Sequence, residues 1–187
     1  MTMKQEIPVT FADYRARIDA GLLRLFADKH LRKLFRNEAK LKLGDVWIQA
    51  APELGEIGSV KHQAAAAPMQ IHQQIVEGLP GEALFISSAM LYDSLQEALP
   101  LFNVTAKTAR NRLGDVLQAN EGEIALRIGR VFAMAMNVFG SLDAAREYLR
   151  TPNFALGGAI PRNLLSTAAG EQMVLSELEA QAEGAPV

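Results

Sequence analysis

Apolar residues recur at spacings of three and four along several stretches of this chain, which is the period of an α-helix. The first stretch covers residues 10–43, where Thr10 stands at the position of an N-cap and Gly44 at a plausible end. The clearest stretch covers residues 121–139 and is followed by Gly140. Each is predicted to be a helix with one apolar face. Those faces are formed by Phe11, Tyr14, Ile18, Leu22, Leu25 and Phe26, and by Ile124, Ile128, Val131, Phe132, Ala135 and Phe139.

Capping and breaking residues predict further, shorter helices. One runs from Met69 to Val76 and ends at Gly78, and the next begins after a turn at residues 79–81. Ser88 is predicted to cap another helix, which Pro100 cuts short. A helix over residues 106–113 is predicted to be capped by Thr105 and ended by Gly114, and a helix over 142–149 to be capped by Ser141. The last predicted helix is capped by Thr167. Its outer face is predicted to be wholly acidic and is formed by Glu171, Glu177, Glu179 and Glu183.

The composition favours an all-α protein. Aromatic residues make up only 6% of the chain and runs of β-branched residues are absent. With 187 residues, 49% of them hydrophobic, the chain is long enough to bury a core. No window approaches the ~18 uninterrupted apolar residues of a membrane span. Because there is no cysteine, disulfides and thiolate metal sites are excluded, and we expect a soluble cytoplasmic protein.

The net charge of −2 conceals an asymmetry along the chain. Residues 1–43 carry ten Lys or Arg against five Asp or Glu, whereas residues 44–187 carry nine against sixteen. The basic part is either the solvated face of a helix or an arm that contacts nucleic acid or the protein's own acidic part.

A short helix, a tight turn at residues 103–105 and a second short helix with polar and basic residues form the layout of a helix-turn-helix. In that motif the second helix enters the DNA major groove. Long basic side chains reach phosphates or guanine edges, and shorter polar groups at the start of the helix contact bases. A solvated helical hairpin is the alternative. The candidate DNA-binding residues are Thr105, Lys107, Thr108, Arg110, Asn111 and Arg112.

Residues 149–165 combine chain-breaking residues with apolar ones. Pro152 stops the preceding helix, and Asn153, Gly157 and Gly158 are predicted to supply left-handed or tightly turning backbone. Pro161 suits the first position of a new short helix. The stretch is either a plain connector or a rigid turn that presents backbone amides and apolar side chains.

Nothing in the sequence indicates an enzyme. A phosphate-binding glycine loop with its lysine, a nucleophile elbow, and a histidine beside a candidate nucleophile are all missing. His30, His62 and His72 have no carboxylate cluster near them in the sequence and are predicted to be surface residues. We therefore expect no catalytic residues, no metal site and no cofactor.

Roughly residues 70–184 resemble the Xre/MbcA/ParS antitoxins. The resemblance is carried by Arg150-Thr151-Pro152-Asn153-Phe154-Ala155-Leu156-Gly157-Gly158, followed by Pro161, Leu164-Leu165, Thr167 and Gly170. It is also carried by residues 104–113, which look like the recognition helix of that family, and by Arg127 and Arg130 ahead of Val138-Phe139-Gly140. Ala159-Ile160 depart from the family, which often has two basic residues there, as do Lys107 and Ala109 in the recognition helix.

The resemblance implies an antitoxin of a type II toxin–antitoxin operon. Its partner would be a RES-domain toxin that destroys NAD, and its C-terminal domain would block the toxin's active site. Its upstream part would bind operator DNA and autoregulate the operon. Carried over position by position, the toxin-binding candidates are Asn153, Leu156, Gly157, Gly158, Pro161, Leu164 and Leu165.

The expected domains are a basic helical N-terminal extension at residues 1–65, a helix-turn-helix DNA-binding domain at 66–139 and a toxin-binding domain at 140–187. A homodimer is the default for a helix-turn-helix protein on a two-fold operator. Two alternatives remain open. One is a stand-alone regulator whose C-terminal domain serves only dimerisation, and the other is a regulator that contacts nucleic acid mainly through its basic arm, residues 15–42.

Overall fold

The computed structural model describes residues 11–13, 15–16, 18–20 and 68–184. Several predictions lie outside these ranges: the cap at Thr10, the helix beyond residue 20, its end at Gly44, and the positions of His30 and His62. The described residues between 11 and 20 are helical and are called the N-terminal segment below.

The regular structure of the described ranges is helical, without strands, which confirms the all-α prediction for this part of the chain. A single 3-10 turn, Phe154–Leu156, separates α6 from α7. The helices are α1 (Pro68–Glu77), α2 (Glu82–Leu91), α3 (Leu95–Phe102), α4 (Ala106–Arg112), α5 (Ala119–Phe139), α6 (Leu142–Arg150), α7 (Pro161–Leu164) and α8 (Ala168–Ala182).

Helix α5 is the centre of the bundle. It is 21 residues long, and α2, α6 and α8 all pack against it. Ile128, Val131 and Phe132 of its apolar stripe are fully buried, whereas Phe139 at its end is partly buried. One continuous core extends from Ile18 in the N-terminal segment to Leu178 in α8. The core therefore crosses the expected domain boundary at residue 139, and α5 supports the elements on both sides of it.

Local signals located most helix ends correctly. Thr105, Ser141 and Thr167 each occupy an N-cap, and their hydroxyl oxygens accept hydrogen bonds from the amides of Thr108, Ala144 and Gly170. Gly78 and Gly140 follow the ends of α1 and α5 with positive φ angles of 96° and 69°. These positions suit glycine because other residues rarely adopt a left-handed backbone.

The prediction for Ser88 was wrong. Ser88 lies inside α2, is fully buried, and donates to the Leu84 carbonyl oxygen. A serine can satisfy its hydroxyl on the preceding turn, so its presence does not require a helix start. The N-cap of the next helix is Ser94. Pro100 does not cut that helix short but lies within it, two residues before its end at Phe102.

The acidic outer face predicted for the last helix is also wrong in part. Glu179 and Glu183 are exposed, but Glu171 and Glu177 are buried. Arg130 Nε lies 2.6 Å from Glu171 Oε1, and Arg127 Nε lies 3.7 Å from Glu171 Oε2. Glu171 therefore joins α8 to α5 through two arginines.

No single helix in the described ranges is long and apolar enough to cross a membrane. Helices α5 and α6 meet the length and composition test only as a pair, and they are bent relative to each other by 118°.

Candidate functional site

The chain between α6 and α7 forms a closed turn, which we call the hook (residues 151–160). The Asn153 amide donates to the Ala159 carbonyl oxygen at 3.0 Å, and the Gly158 amide donates to the Asn153 carbonyl oxygen at 2.8 Å. The backbone passes through Gly157 and Gly158 with φ angles of 68° and 80°. Left-handed backbone at two successive residues explains why glycines stand here.

Asn153 has a different role from the predicted one. Its φ angle is −113°, which is extended and not left-handed. Its side-chain oxygen accepts from the Ala155 amide at 2.8 Å and so caps the 3-10 turn. Asn153 therefore stiffens the hook through its side chain, whereas the tight turn itself is made by the two glycines.

The toxin-binding candidates differ in burial and fall into three groups. Gly157 and Gly158 are exposed, and no heavy atom lies within 4 Å of the position a Cβ would take at either glycine. Asn153 and Leu164 are half-buried. The remaining three candidates, Leu156, Pro161 and Leu165, are buried in the core, so they hold the hook in place from beneath.

Phe154 of the hook was not among the toxin-binding candidates identified from the sequence. Its side chain is 91% exposed, more than any other large hydrophobic residue in the described ranges. It borders an open pocket of about 380 Å³ whose other lining residues are Glu147, Tyr148, Thr151, Pro152 and Asn153. One signal in the sequence pointed to it, since it is the last aromatic residue of the chain and stands among turn-forming residues.

Polar contacts fix the hook from below. The Tyr148 hydroxyl donates to Glu177 Oε2, and Gln181 donates to Glu177 Oε1, so α6 is tied to α8. The ring of Tyr148 packs against Phe139, with 4.9 Å between ring centroids. Burial, reinforced by the bond to Glu177, raises the pKa of Tyr148 well above its ordinary value. Tyr148 is therefore a neutral hydrogen-bond donor throughout the physiological range.

A second set of contacts anchors α7, which follows the hook. The guanidinium of Arg162 lies 4.6 Å from the centre of the Tyr92 ring, and its Nη1 atom lies 3.8 Å from Glu97 Oε2. Burial also raises the pKa of Tyr92, although the charge of Arg162 opposes this shift. Both ends of the hook thus rest on the bundle.

Helices α3 and α4, which contain the segment predicted to bind DNA, are joined by a turn at residues 103–105. Asn103 makes the turn with a left-handed backbone (φ 54°). Of the candidates, Thr105, Lys107, Arg110 and Asn111 are exposed and Thr108 is half-buried. These five positions form the polar surface of α4.

Arg112, the sixth candidate, makes a structural ion pair. Its Nε and Nη2 atoms donate to Glu121 Oε2 and Oε1 at 2.8 and 2.9 Å. Glu121 is 2% exposed and also accepts from the Gln118 amide at the start of α5. The hydrogen bond to Glu121 raises the pKa of Arg112. Arg112 therefore fixes α4 against α5, and its guanidinium is already occupied.

Metal-binding residues do not cluster in the described ranges. No group of three or more His, Asp or Glu side chains is placed to hold an ion there, and His72 is exposed.

Residues 134–184, which extend from the last turns of α5 through the hook to the end of α8, match the family model described as the antitoxin Xre/MbcA/ParS C-terminal toxin-binding domain. This part of the chain is an Xre/MbcA/ParS toxin-binding domain. No curated protein matches the chain. The resemblance stated from the sequence is confirmed for these residues, and a toxin is the partner that such a domain implies.

The matched residues begin inside α5, at residue 134. The hook lies near the middle of the matched residues, flanked by α6 and α7. Antitoxins act by binding, so the match also supports the prediction that the chain is not an enzyme. Helices α3 and α4, with the candidate DNA-binding residues, lie outside the matched residues.

Proposed function

We propose that this protein is a cytoplasmic antitoxin that neutralises a cognate RES-type, NAD-degrading toxin by covering its active site with the hook. One observation carries the proposal: a rigid, outward-facing hook lies in the middle of a toxin-binding domain. The backbone at Gly157 and Gly158 is exposed, so a partner surface is able to approach it closely.

Co-expression with the RES-domain protein encoded beside this gene tests the proposal. The wild-type chain is expected to restore growth of cells that produce the toxin and to preserve their NAD level. Failure of the wild-type chain to restore growth would contradict the antitoxin function itself.

A matched pair of glycine variants tests whether the hook is the contact. Gly157 and Gly140 have nearly the same φ angle, 68° and 69°, and neither would place a Cβ within 4 Å of another atom. Gly157→Gln and Gly140→Gln therefore carry the same backbone strain. We expect Gly157→Gln to weaken neutralisation and Gly140→Gln to preserve it. Equal neutralisation by both variants would move the toxin contact away from the hook.

We further propose that a homodimer binds operator DNA through α4 and represses its own operon. The support is the polar surface formed by Thr105, Lys107, Arg110 and Asn111, with Arg112 and Glu121 holding the helix in position. In helix-turn-helix proteins the second helix lies in the major groove, and a two-fold dimer matches two half-sites.

Operator binding is measured with a DNA fragment from upstream of the gene at several salt concentrations. Lys107→Gln and Arg110→Gln are each expected to weaken binding and to reduce the slope of log K against log[salt] by about one. Arg150→Gln removes the same charge from α6 and is the control. Loss of binding in the control alone would place the DNA surface elsewhere.

A further inference from the structure

The ring of Phe154 is exposed to solvent although the hydrophobic core lies nearby. Its exposure of 91% compares with 48–66% for Met69, Val76, Val116 and Met173, the other exposed large hydrophobics of the described ranges. Aromatic side chains bury large apolar areas when they are covered, so an uncovered one is an unused source of binding free energy. The stability of the fold therefore does not explain why an aromatic residue stands at this position.

The segment that carries Phe154 is closed by hydrogen bonds on both sides. The Asn153 amide is bonded to Ala159, the Gly157 amide is bonded to the Phe154 carbonyl oxygen at 2.9 Å, and Leu156 is buried two residues later. A backbone held in this way does not have to be ordered when a partner binds. Pre-organisation of this kind lowers the entropic cost of association.

The surface beside the Phe154 ring is polar and open to solvent. The pocket between Phe154 and α6 is open, and its acidic wall is Glu147. Glu147 Oε2 lies 3.0 Å from Arg150 Nε, and Glu147 Oε1 accepts from the Thr151 hydroxyl at 3.2 Å, so this carboxylate is held in place. An exposed apolar ring beside fixed polar groups is the arrangement found at the centre of many protein interfaces, where a few residues dominate affinity.

We propose that Phe154 is the anchor of the toxin interface and inserts into an apolar cavity on the surface of the toxin. The proposal rests on the antitoxin function proposed above and names the residue that dominates that contact. The occupant is a protein toxin because Phe154 lies within the toxin-binding domain, between the exposed glycines and α6. The toxin surface that receives it has an apolar pocket wide enough for a phenyl ring.

Binding of purified variants to the RES-domain protein encoded beside this gene, measured as a dissociation constant, tests the anchor. Phe154→Ala is expected to weaken binding by at least about 30-fold, the loss typical of an interface hot spot. Phe154→Leu is expected to recover part of that loss because it restores apolar volume. The control is Met173→Ala, which removes a half-exposed apolar side chain from α8 in the same domain and is expected to change binding by less than about threefold.

Thermal unfolding separates a binding effect from a folding effect. Because the ring is exposed, Phe154→Ala is expected to keep the wild-type melting temperature. Binding of Phe154→Ala within about threefold of wild type, or a loss no larger than that of Met173→Ala, would overturn the anchor while leaving the antitoxin function intact. Absence of any wild-type binding would instead overturn the proposed function.

Discussion

At the scale of single residues, Tyr148 joins the helix that precedes the hook to α8. Its hydroxyl is directed into the interface between α6 and α8, where burial and the Glu177 carboxylate both raise its pKa above the ordinary value of 10.0. The pKa in the folded state thus exceeds that in the unfolded state. The resulting stabilisation is fully present below about pH 10 and is lost as the pH rises further.

Tyr148→Phe tests this assignment. At pH 8 the variant is expected to lose about 1–2 kcal/mol of unfolding free energy, because it lacks the hydrogen bond to Glu177. Above pH 10 the difference from wild type is expected to shrink, because only the wild type must keep this buried hydroxyl protonated. Denaturant unfolding between pH 7 and pH 11 measures the difference. The raised pKa of Tyr92 is common to both proteins and cancels, and a constant difference across this range would contradict the assignment.

At the scale of elements, close contacts between helices determine which side chains fit at a position, and capping signals in the sequence do not report such contacts. A Cβ at Gly170, in the first turn of α8, would lie 2.0 Å from the Leu164 carbonyl oxygen at the end of α7. At Gly122, in α5, the nearest atom to such a Cβ is Leu79 Cδ1 at 3.5 Å, an ordinary contact. The two helical glycines therefore differ: Gly170 leaves no room for a Cβ, whereas Gly122 does.

Gly170→Ala is expected to destabilise the protein by about 3 kcal/mol, because α7 must move away from α8. Gly122→Ala is expected to be neutral or to stabilise by up to about 1 kcal/mol, since alanine favours the helix. The denaturant concentrations at the midpoints of unfolding of the two variants test these expected changes in stability. Equal effects would mean that α7 and α8 do not approach as closely as described.

At the scale of the whole molecule, the N-terminal segment belongs to the same core as the toxin-binding domain. Ile18 is 1% exposed, and Asp19 accepts from Arg146 Nη1 and Nη2 at 3.0 and 2.5 Å. Arg146 also donates to the carbonyl oxygens of Ala89 and Met90 at 2.9 and 2.8 Å. One buried guanidinium therefore joins the N-terminal segment, the end of α2 and α6.

Arg146→Met is expected to destabilise the protein by about 3 kcal/mol, because two carbonyl oxygens and Asp19 lose their donor. Arg150→Met, which removes a more exposed arginine from the same helix, is expected to cost less than about 1 kcal/mol. Chemical denaturation of the two variants gives the comparison. A loss for Arg146→Met no larger than that for Arg150→Met would argue against the docking of the N-terminal segment.

Helix boundaries in the described ranges were largely determined by the sequence itself. A cap, a proline or a glycine acts within a few residues, so Thr105, Gly140, Ser141, Pro161 and Thr167 marked their boundaries correctly. The motif between Pro152 and Leu165 also indicated the toxin-binding domain, because it is a contiguous run of residues. The prediction for Ser88 was wrong because a serine hydroxyl is able either to cap a helix or to bond to a carbonyl oxygen within one.

Tertiary structure alone decided which polar residues are buried and which apolar residue is exposed. Tyr148 and Glu177 are 29 positions apart, Arg130 and Glu171 are 41 apart, and Asp19 and Arg146 are 127 apart. Periodicity within one helix does not report such pairs, because each depends on how two distant elements pack. For the same reason the sequence marked Leu156, Pro161 and Leu165 as contacts, whereas the fold buries them and leaves Phe154 exposed.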